Sequence, residues 1–279
     1  MLAELLSKAA TIAMLSFVVS SMLAMGAGLT IPQIAEPLRN ARLVVFALLA
    51  NFVLMPLGAI ALAKVLQLDE PFAIGLLVLG CAAGAPFLPK LAELAKGNLA
   101  FAVGAMVLLM VGTVAYLPIV LPLLLPGITV NAWEIARSLL LLMLLPLAMG
   151  LALKARYGEL AARVKPVLDW ISNVSLILLV CLITAANIDK VLQVFGTRAI
   201  LAGLLFIVLG LGTGWLLGGS GAGTKRVMAL GTGQRNIAAA LVVASSFSDP
   251  KVVVMVIVVA IVGLILLMPL SRVLASFEP

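Results

Sequence analysis

The sequence predicts an all-α polytopic membrane protein with about nine transmembrane helices in two inverted repeats. Three observations support this: an extreme apolar composition, nine long apolar stretches, and an interruption in two of them. Hydrophobic residues make up 64% of the 279 residues and charged residues 10%. In soluble domains about 45–50% of the residues are apolar and about 25% are charged. A soluble fold of this composition would have almost no polar surface, so the chain is expected to lie in a membrane.

Nine stretches come close to the roughly 20 apolar residues that a membrane-spanning helix needs. They cover 9–29, 41–66, 71–94, 98–122, 132–154, 166–187, 198–218, 223–247 and 251–276. The connectors between them are short and contain most of the charges and several prolines. Because little chain remains for a soluble domain, the functional groups are expected to lie within the bilayer.

The connector charges predict the orientation. Ten Lys and Arg residues fall on one side of the predicted membrane and six on the other, while Lys90 and Arg235 lie within spans. The positive-inside rule places the richer side in the cytoplasm. We therefore expect a multi-pass protein of the inner cell membrane, with its N-terminus outside and its C-terminus cytoplasmic. The N-terminal residues lack a basic segment followed by a cleavage site, so the first helix is expected to be retained.

Composition and motifs exclude several function classes. The net charge of +7 comes mostly from residues that flank apolar spans, so no nucleic-acid partner is expected. Histidine is absent, which rules out His-based triads and His-ligated metals. Neither a GxSxG nucleophile motif nor a Walker A loop occurs. We therefore expect no enzyme, no catalytic residue and no metal site.

Two spans do not resemble simple helices. The third contains "LGCAAGAPFLPKLAEL" (79–94), and the eighth contains "LGTGQRN" (230–236). In the third span, Pro86 and Pro89 each remove a backbone donor and clash with the preceding turn, so a break is predicted there. In the eighth span, two glycines and three polar residues near the middle predict a second break. The two broken spans lie five spans apart, an odd number. Two similar units that each contain one of them would therefore have opposite orientations in the membrane. This is the pattern of inverted repeats in secondary transporters, here 1–122 and 131–279. The alternative is that these glycines and prolines, which are common in membrane helices, only kink the helices and shape their packing.

Broken backbone inside a membrane is tolerated where it is buried in protein or lines a wet cavity, so the breaks predict the binding site. Arg235 and Lys90 are costly at that depth, and we expect them to hold an anionic substrate. The alternative is that each cation reaches the interface or pairs with a carboxylate, which for Lys90 would be Glu93. The further substrate-binding candidates are Asn236, Gln234, Thr232, Gly84 and Pro86. Candidates for an ion site are Gly231, Thr232, Gln234 and Thr113, although Thr113 could equally serve a helix–helix hydrogen bond.

Three segments, in order, resemble the bile acid:sodium symporter family. They are "MGAGLTIPQIAEPLRNARLVV" (25–45), "GCAAGAPFLPKLAELAKGNLAFAV" (80–103) and "GTGQRNIAAALVVASSF" (231–247). The resemblance implies a core domain and a panel domain, with two broken helices crossing in the core beside a substrate cavity. It also implies ten helices in two inverted units, or nine when the first is missing, and organic anions as substrates. This chain corresponds to the nine-helix form.

The chain departs from the family where the resemblance places sodium ligands. A serine–asparagine pair of the first break is replaced by Leu88 and Pro89, and a glutamate of the second break by Gly231. The glutamine that follows it becomes Arg235. Oxygen ligands are therefore lost, and two cations, Arg235 and Lys90, stand in the same breaks. We hypothesise that these fixed charges replace sodium, so that an organic anion moves by alternating access without obligatory sodium coupling.

Two other functions remain open at this point. The protein could be a sodium-coupled symporter that uses backbone carbonyls with Thr232, Gln234 and Asn236 as rearranged ligands. It could also be a membrane channel or scaffold, although short connectors leave no room for a signalling domain. No cofactor is expected, and sodium is left open. The expected partners are a small organic anion and the lipid bilayer, with the oligomeric state undetermined.

Overall fold

The computed structural model describes residues 2–35, 39–125, 132–186, 194 and 197–276. These ranges form helices and contain no β-strand, so the all-α prediction is confirmed for them. The helices are α1 (Leu2–Gly28), α2 (Ile31–Ala35), α3 (Ala41–Leu49), α4 (Met55–Val65), α5 (Glu70–Cys81), α6 (Leu88–Leu94), α7 (Leu99–Leu124), α8 (Ala132–Leu139), α9 (Leu145–Arg156), α10 (Gly158–Ala186), α11 (Ala199–Leu217), α12 (Ala222–Gly233), α13 (Ile237–Ala244) and α14 (Lys251–Leu274). The predicted borders at 131, 187 and 279 lie outside the described residues.

Seven helical segments in the described ranges are long and apolar enough to cross a membrane. They are Lys8–Gly28, Ala41–Val65, Leu99–Leu124, Ile135–Arg156, Ala199–Leu217, Ala222–Ala244 and Lys251–Leu274. The other two predicted spans are the third, which is divided into α5 and α6, and the sixth, whose described part, 166–186, lies within α10. The helix α10 begins at Gly158, eight residues before the predicted border at 166.

Both predicted breaks are confirmed. Residues 82–87 separate α5 from α6, and residues 234–236 separate α12 from α13. The segment Ala222–Ala244 is mostly buried inside the protein, whereas at least half of the residues in each of the other six spans are not buried. The second break is therefore shielded from lipid by protein, as irregular backbone at membrane depth requires.

Two π-helical turns, Ala50–Leu54 and Leu140–Leu144, join α3 to α4 and α8 to α9. Each lies just before a proline, Pro56 or Pro146, which removes one N–H from the helical ladder. In the first case the proline leaves the carbonyl of Phe52 without its usual donor. The hydroxyl of Tyr116 on α7 donates to that carbonyl at 2.5 Å. A proline inside the span is thus compensated by a tertiary hydrogen bond.

The helices pack in two groups on either side of a central cavity. On one side α1 packs against α9 and α10, which we call the panel helices. On the other side the broken helices pack with α7, α11 and α14. The backbones of α11 and α12 approach so closely that a Cβ at Gly214 would lie 2.1 Å from the carbonyl oxygen of Met228. Small residues therefore set this distance, as they commonly do between membrane helices.

Candidate functional site

The two breaks contact each other through Asn236, which is fully buried. Its N–H donates to the carbonyl of Ala82 at 3.0 Å, and its Nδ2 donates to the carbonyl of Gly84 at 3.0 Å. Its Oδ1 accepts from the N–H of Ala239 at 3.0 Å and so caps α13. The carbonyl of Ala82 is available because Pro86, four residues later, has no N–H. One side chain thus begins its own half-helix and joins it to the other break.

The helix α7 supports the first break from behind. The hydroxyl of Thr113 accepts from the N–H of Ala83 at 2.8 Å and donates to the carbonyl of Ala83 at 3.1 Å. Gly84 has a φ of +77°, and a Cβ there would lie 2.2 Å from the backbone nitrogen of Met110. Both Thr113 and Gly84 therefore shape the break. Neither lines the cavity, and the hydroxyl of Thr113 is already used by backbone.

Arg235 lies where residues 82–87 and 234–236 contact each other, a region that we call the crossing, and is 2% exposed. Its Nε donates to the carbonyl of Leu79 at 2.9 Å, and its Nη2 donates to the carbonyls of Gly80 at 2.7 Å and Asn51 at 3.5 Å. Its Nη1 donates to Oδ1 of Asn51 at 2.7 Å and to the carbonyl of Thr232 at 3.4 Å. A guanidinium has five N–H donors, so each of them has a protein oxygen as acceptor. No carboxylate in the described part of the chain pairs with Arg235.

The breaks themselves supply these acceptors. Leu79 and Gly80 lie in the last turn of α5, and Thr232 lies in the last turn of α12, where carbonyls lack the N–H donor of a continuing helix. The carbonyl of Leu79 accepts from the N–H of Ala82 at 3.1 Å as well as from Arg235. The N–H of Asn236, which would bond to Thr232 in a continuous helix, bonds to Ala82 instead. The C-terminal ends of two helices each carry about half a negative charge and favour a cation. Two helix ends thus stabilise the buried guanidinium.

The positions for which the family resemblance implies sodium ligands contact each other here as apolar groups. A Cβ at Gly231 would lie 3.0 Å from Cδ2 of Leu88. Gly231 is buried and Leu88 is 1% exposed, so the leucine side chain fills the space beside the glycine. Neither side chain offers an oxygen. Next to this contact, Thr232 is fully buried, and its hydroxyl accepts from Nδ2 of Asn51 at 3.3 Å.

A cavity of about 620 Å³ lies between the crossing and the panel helices α1 and α10. Of the predicted site residues, Pro86, Lys90, Gln234 and Arg235 line it, whereas Gly84, Thr232 and Asn236 lie behind its wall. Oε1 of Gln234 is buried and has no hydrogen-bond donor among the described residues. The volume lies within the range of about 300–1,000 Å³ that is typical of small-molecule pockets.

Two of the three lysine and arginine side chains on the cavity wall form ion pairs. Nζ of Lys90 lies 2.8 Å from Oε2 of Glu93, and Nζ of Lys165 lies 2.6 Å from Oδ2 of Asp169. The pairing alternative for Lys90 is therefore what the structure contains. Sequence reasoning missed Lys165 because it assigned that residue to a charged connector, and it did not single out Asp169 inside the predicted span 166–187. The signal that could have found them is a lysine and an aspartate four residues apart, on one face of a helix, at the start of an apolar span.

The profile of the Sodium Bile acid symporter family matches residues 14–194. The chain belongs to this family. Symporter-family relatives include the "uncharacterized sodium-dependent transporter YocS" of Bacillus subtilis, which is 29% identical over 71% of this chain and 60% of its own length. They also include the "probable sodium/metabolite cotransporter BASS2, chloroplastic" of rice, 27% identical over 84% of this chain and 57% of its own. The "probable sodium/metabolite cotransporter BASS1, chloroplastic" of Arabidopsis thaliana is 27% identical over 82% of this chain and 58% of its own length.

Family membership confirms the resemblance predicted from the three sequence segments, and the apolar helices fit a multi-pass membrane protein. All three of these symporter-family relatives are named as transporters, and none is named as an enzyme. The chain spans about 60% of the length of these relatives. The matched region of the family profile ends before the second break, so Arg235 lies outside it.

Proposed function

We propose that this protein is a secondary transporter that moves an organic anion across the cell membrane by alternating access, without obligatory coupling to sodium. Membership of a symporter family and the names of the relatives support transport. Broken helices that cross beside a central cavity are the usual arrangement around a transporter's substrate site. We propose the central cavity as that site, with Pro86, Lys90 and Gln234 on its wall.

The observation that carries the proposal is the environment of Arg235. Its guanidinium is surrounded by five neutral oxygens, two of them carbonyls at the end of α5 and one at the end of α12. A sodium ion also needs oxygen ligands, and here the guanidinium of Arg235, a covalently attached cation, occupies these oxygens. Because its five N–H groups are donated to protein, we propose that Arg235 acts on the substrate through its charge and holds the breaks together.

The contact between Leu88 and Gly231 supports the same conclusion. A sodium site at this point would need oxygen ligands, and the leucine side chain fills the space instead. Taken with the fixed charge of Arg235, this favours a carrier whose charge balance does not depend on a bound metal ion.

The charges of the cavity wall favour an anionic substrate. Three cations line the cavity, Lys90, Lys165 and Arg235, against one acid, Asp169, which leaves a formal charge of +2. Most of the remaining wall is apolar, and charges inside a low-dielectric cavity act more strongly than in water. An anion with an apolar body matches this wall.

Uptake into proteoliposomes tests the proposal. Radiolabelled taurocholate and a panel of small carboxylates are offered with an inward sodium gradient and with potassium in its place. The expected result is saturable uptake of at least one anion at equal rates in both. Strict sodium dependence would sink the sodium-independent part of the proposal. Accumulation against a gradient, or counterflow with unlabelled anion, would separate a carrier from a channel or scaffold.

A sodium-coupled symporter is the second candidate, and the unpartnered Oε1 of Gln234 favours it. That oxygen, together with Thr232, Asn236 and backbone carbonyls, could ligate an ion after rearrangement. Sodium-dependent thermal stabilisation would distinguish the two. We expect none for the wild type. A variant carrying Leu88→Ser, Gly231→Glu and Arg235→Gln, which restores three oxygen-bearing side chains, is expected to gain it.

The membrane orientation and the repeats belong to the same proposal. The order of elements supports two inverted units, since each broken pair, α5–α6 and α12–α13, is followed by a long helix, α7 or α14. The connector charges support a C-terminus in the cytoplasm. Labelling of single cysteines at Lys8 and Ser276 with a membrane-impermeant maleimide in intact cells checks this. Reaction is expected at position 8 only.

A further inference from the structure

The helix α10 presents a polar face to the central cavity. Lys165, Asp169, Ser172 and Asn173 all line it. Their spacing of i, i+4, i+7 and i+8 places them on one side of the helix. Four polar residues along a membrane helix are costly unless a wet cavity or a ligand receives them. The face therefore indicates a place where the substrate's polar group binds.

Lys165 is held at the seam between α1 and α10. A Cβ at Gly28 would lie 2.7 Å from Cε of Lys165, so the lysine stem fills the space that the glycine leaves. Its ammonium donates to Asp169, and the two side chains are 42% and 45% exposed. An ammonium has three donors, and among the described residues only Asp169 accepts one. Lys165 lines the cavity, so an anion there can reach its ammonium group.

The other two cations of the cavity are less suited to bind an anion directly. Arg235 has donated all its N–H groups to protein. Lys90 is 54% exposed and pairs with Glu93, which does not line the cavity. Its neighbours on the cavity wall, Pro86, Phe87 and Leu91, offer no side-chain hydrogen bonds. Lys165, in contrast, has Ser172 and Asn173 on the same face, about 10 Å further along the helix axis.

We propose that Lys165 binds the anionic group of the substrate and that Asp169 is the internal partner which the anion displaces. This inference rests on the proposed function and names the residue that binds the anion. The substrate is an amphipathic organic anion with one carboxylate or sulfonate at one end. Its polar substituents reach Ser172 and Asn173, and its apolar body lies against Phe17, Met25 and Leu176.

Substitutions of the two partners have opposite expected effects, which a purely structural ion pair would not produce. Lys165→Gln removes a charge-assisted hydrogen bond to the anion and is expected to weaken taurocholate binding about tenfold or more. Asp169→Asn removes the competitor for the ammonium and is expected to tighten binding several-fold. Lys165→Arg keeps the charge and is expected to retain most of the affinity. If the pair only held the helix in place, both neutral variants would weaken binding.

The experiment measures radiolabelled taurocholate binding to the protein in lipid nanodiscs by scintillation proximity. Labelled methyl cholate, which carries no charge, is the matched ligand, and its affinity is expected to be unchanged by Lys165→Gln. Arg163→Gln is the matched variant, because it removes one positive charge from the exposed side of α10 outside the cavity and is expected to have no effect. Size-exclusion chromatography checks that each variant is folded. If Lys165→Gln does not fold, the two single variants Lys165→Arg and Asp169→Asn carry the test.

The outcomes separate this inference from the proposed function. Unchanged binding in Lys165→Gln, or weaker binding in Asp169→Asn, would overturn the role of Lys165 while leaving an anion carrier intact. Absence of taurocholate binding and of uptake of every anion by the wild type would overturn the proposed function and this inference together.

Discussion

The crossing of the broken helices and the polar face of α10 both place a cation beside the same cavity, but they satisfy it differently. At the crossing, Arg235 is 2% exposed and bonds to neutral oxygens from α5, α12 and the π-helical turn at Asn51. On α10, Lys165 is 42% exposed and bonds to one carboxylate. A guanidinium with every donor used has no reason to exchange partners. A half-exposed ammonium with one partner can exchange it for a ligand.

This difference also separates stability from function. Breaking a buried charged network costs several kcal/mol, because the groups left behind remain dry and unpaired. Removing a half-exposed pair costs at most about 1 kcal/mol, because water replaces the lost partner. Substitutions at the crossing should therefore change folding, and substitutions on the cavity face should change ligand binding.

The largest effect is expected for Arg235→Met. It leaves three buried acceptors without a donor, the carbonyls of Gly80 and Thr232 and Oδ1 of Asn51, at an expected cost of about 1–3 kcal/mol for each. Thermal unfolding in detergent, followed by fluorescence-detected size exclusion, should show a large loss of stability or of the folded peak. Arg235→Lys supplies three N–H donors in place of five, and its stability should lie between those of the wild type and Arg235→Met. A melting temperature equal to that of exposed Arg163→Met would contradict this account of the crossing.

Gly84→Ala should be the next most damaging. The new Cβ would meet the backbone of α7, and overpacking of this kind costs about 1–3 kcal/mol. The left-handed φ of +77° adds roughly 1–2 kcal/mol for any residue with a Cβ. The same unfolding assay measures it. Gly212→Ala on α11, where nothing lies within 4 Å of the new methyl, is the matched control and should lose no stability.

Thr113→Val tests how α7 supports the first break. Valine has nearly the same shape but leaves the N–H and carbonyl of Ala83 without the hydroxyl, at an expected cost of about 1–3 kcal/mol. Thr113→Ser keeps the hydroxyl and should retain most of the stability. Hydrogen exchange at Ala83 should accelerate in the valine variant alone. Equal exchange in both variants would mean that the hydroxyl does not hold the break.

The sequence predicted the breaks because proline and glycine act locally on the backbone. Pro86 removes one N–H whatever surrounds it, so the position of the first break could be predicted without knowledge of the fold. The contacts between the breaks could not be predicted in this way. That Asn236 bonds to Ala82, or that Asn51 accepts from Arg235, depends on how distant helices cross.

The site was predicted less well for a related reason. A charge inside an apolar span marks Arg235 as unusual, but its burial decides whether it meets a substrate or protein oxygens. Lys165 was assigned to a connector because α10 begins before its apolar stretch does. The length of an apolar stretch locates the part of a helix that faces lipid. It does not detect a polar turn of the same helix that lines a neighbouring cavity.

The smallest effect is expected for the pair Lys90–Glu93. Both side chains are more than half exposed, so Lys90→Gln and Glu93→Gln should each change stability by less than about 1 kcal/mol. Taurocholate binding should weaken about twofold in Lys90→Gln, because only the field of one half-exposed charge is lost. Binding in nanodiscs at low and high salt measures this, and high salt should abolish the difference. A loss as large as that of Lys165→Gln would move the anion site from α10 to α6. The two lysines lie on opposite walls of one cavity, so this comparison decides which group of helices holds the substrate's charge.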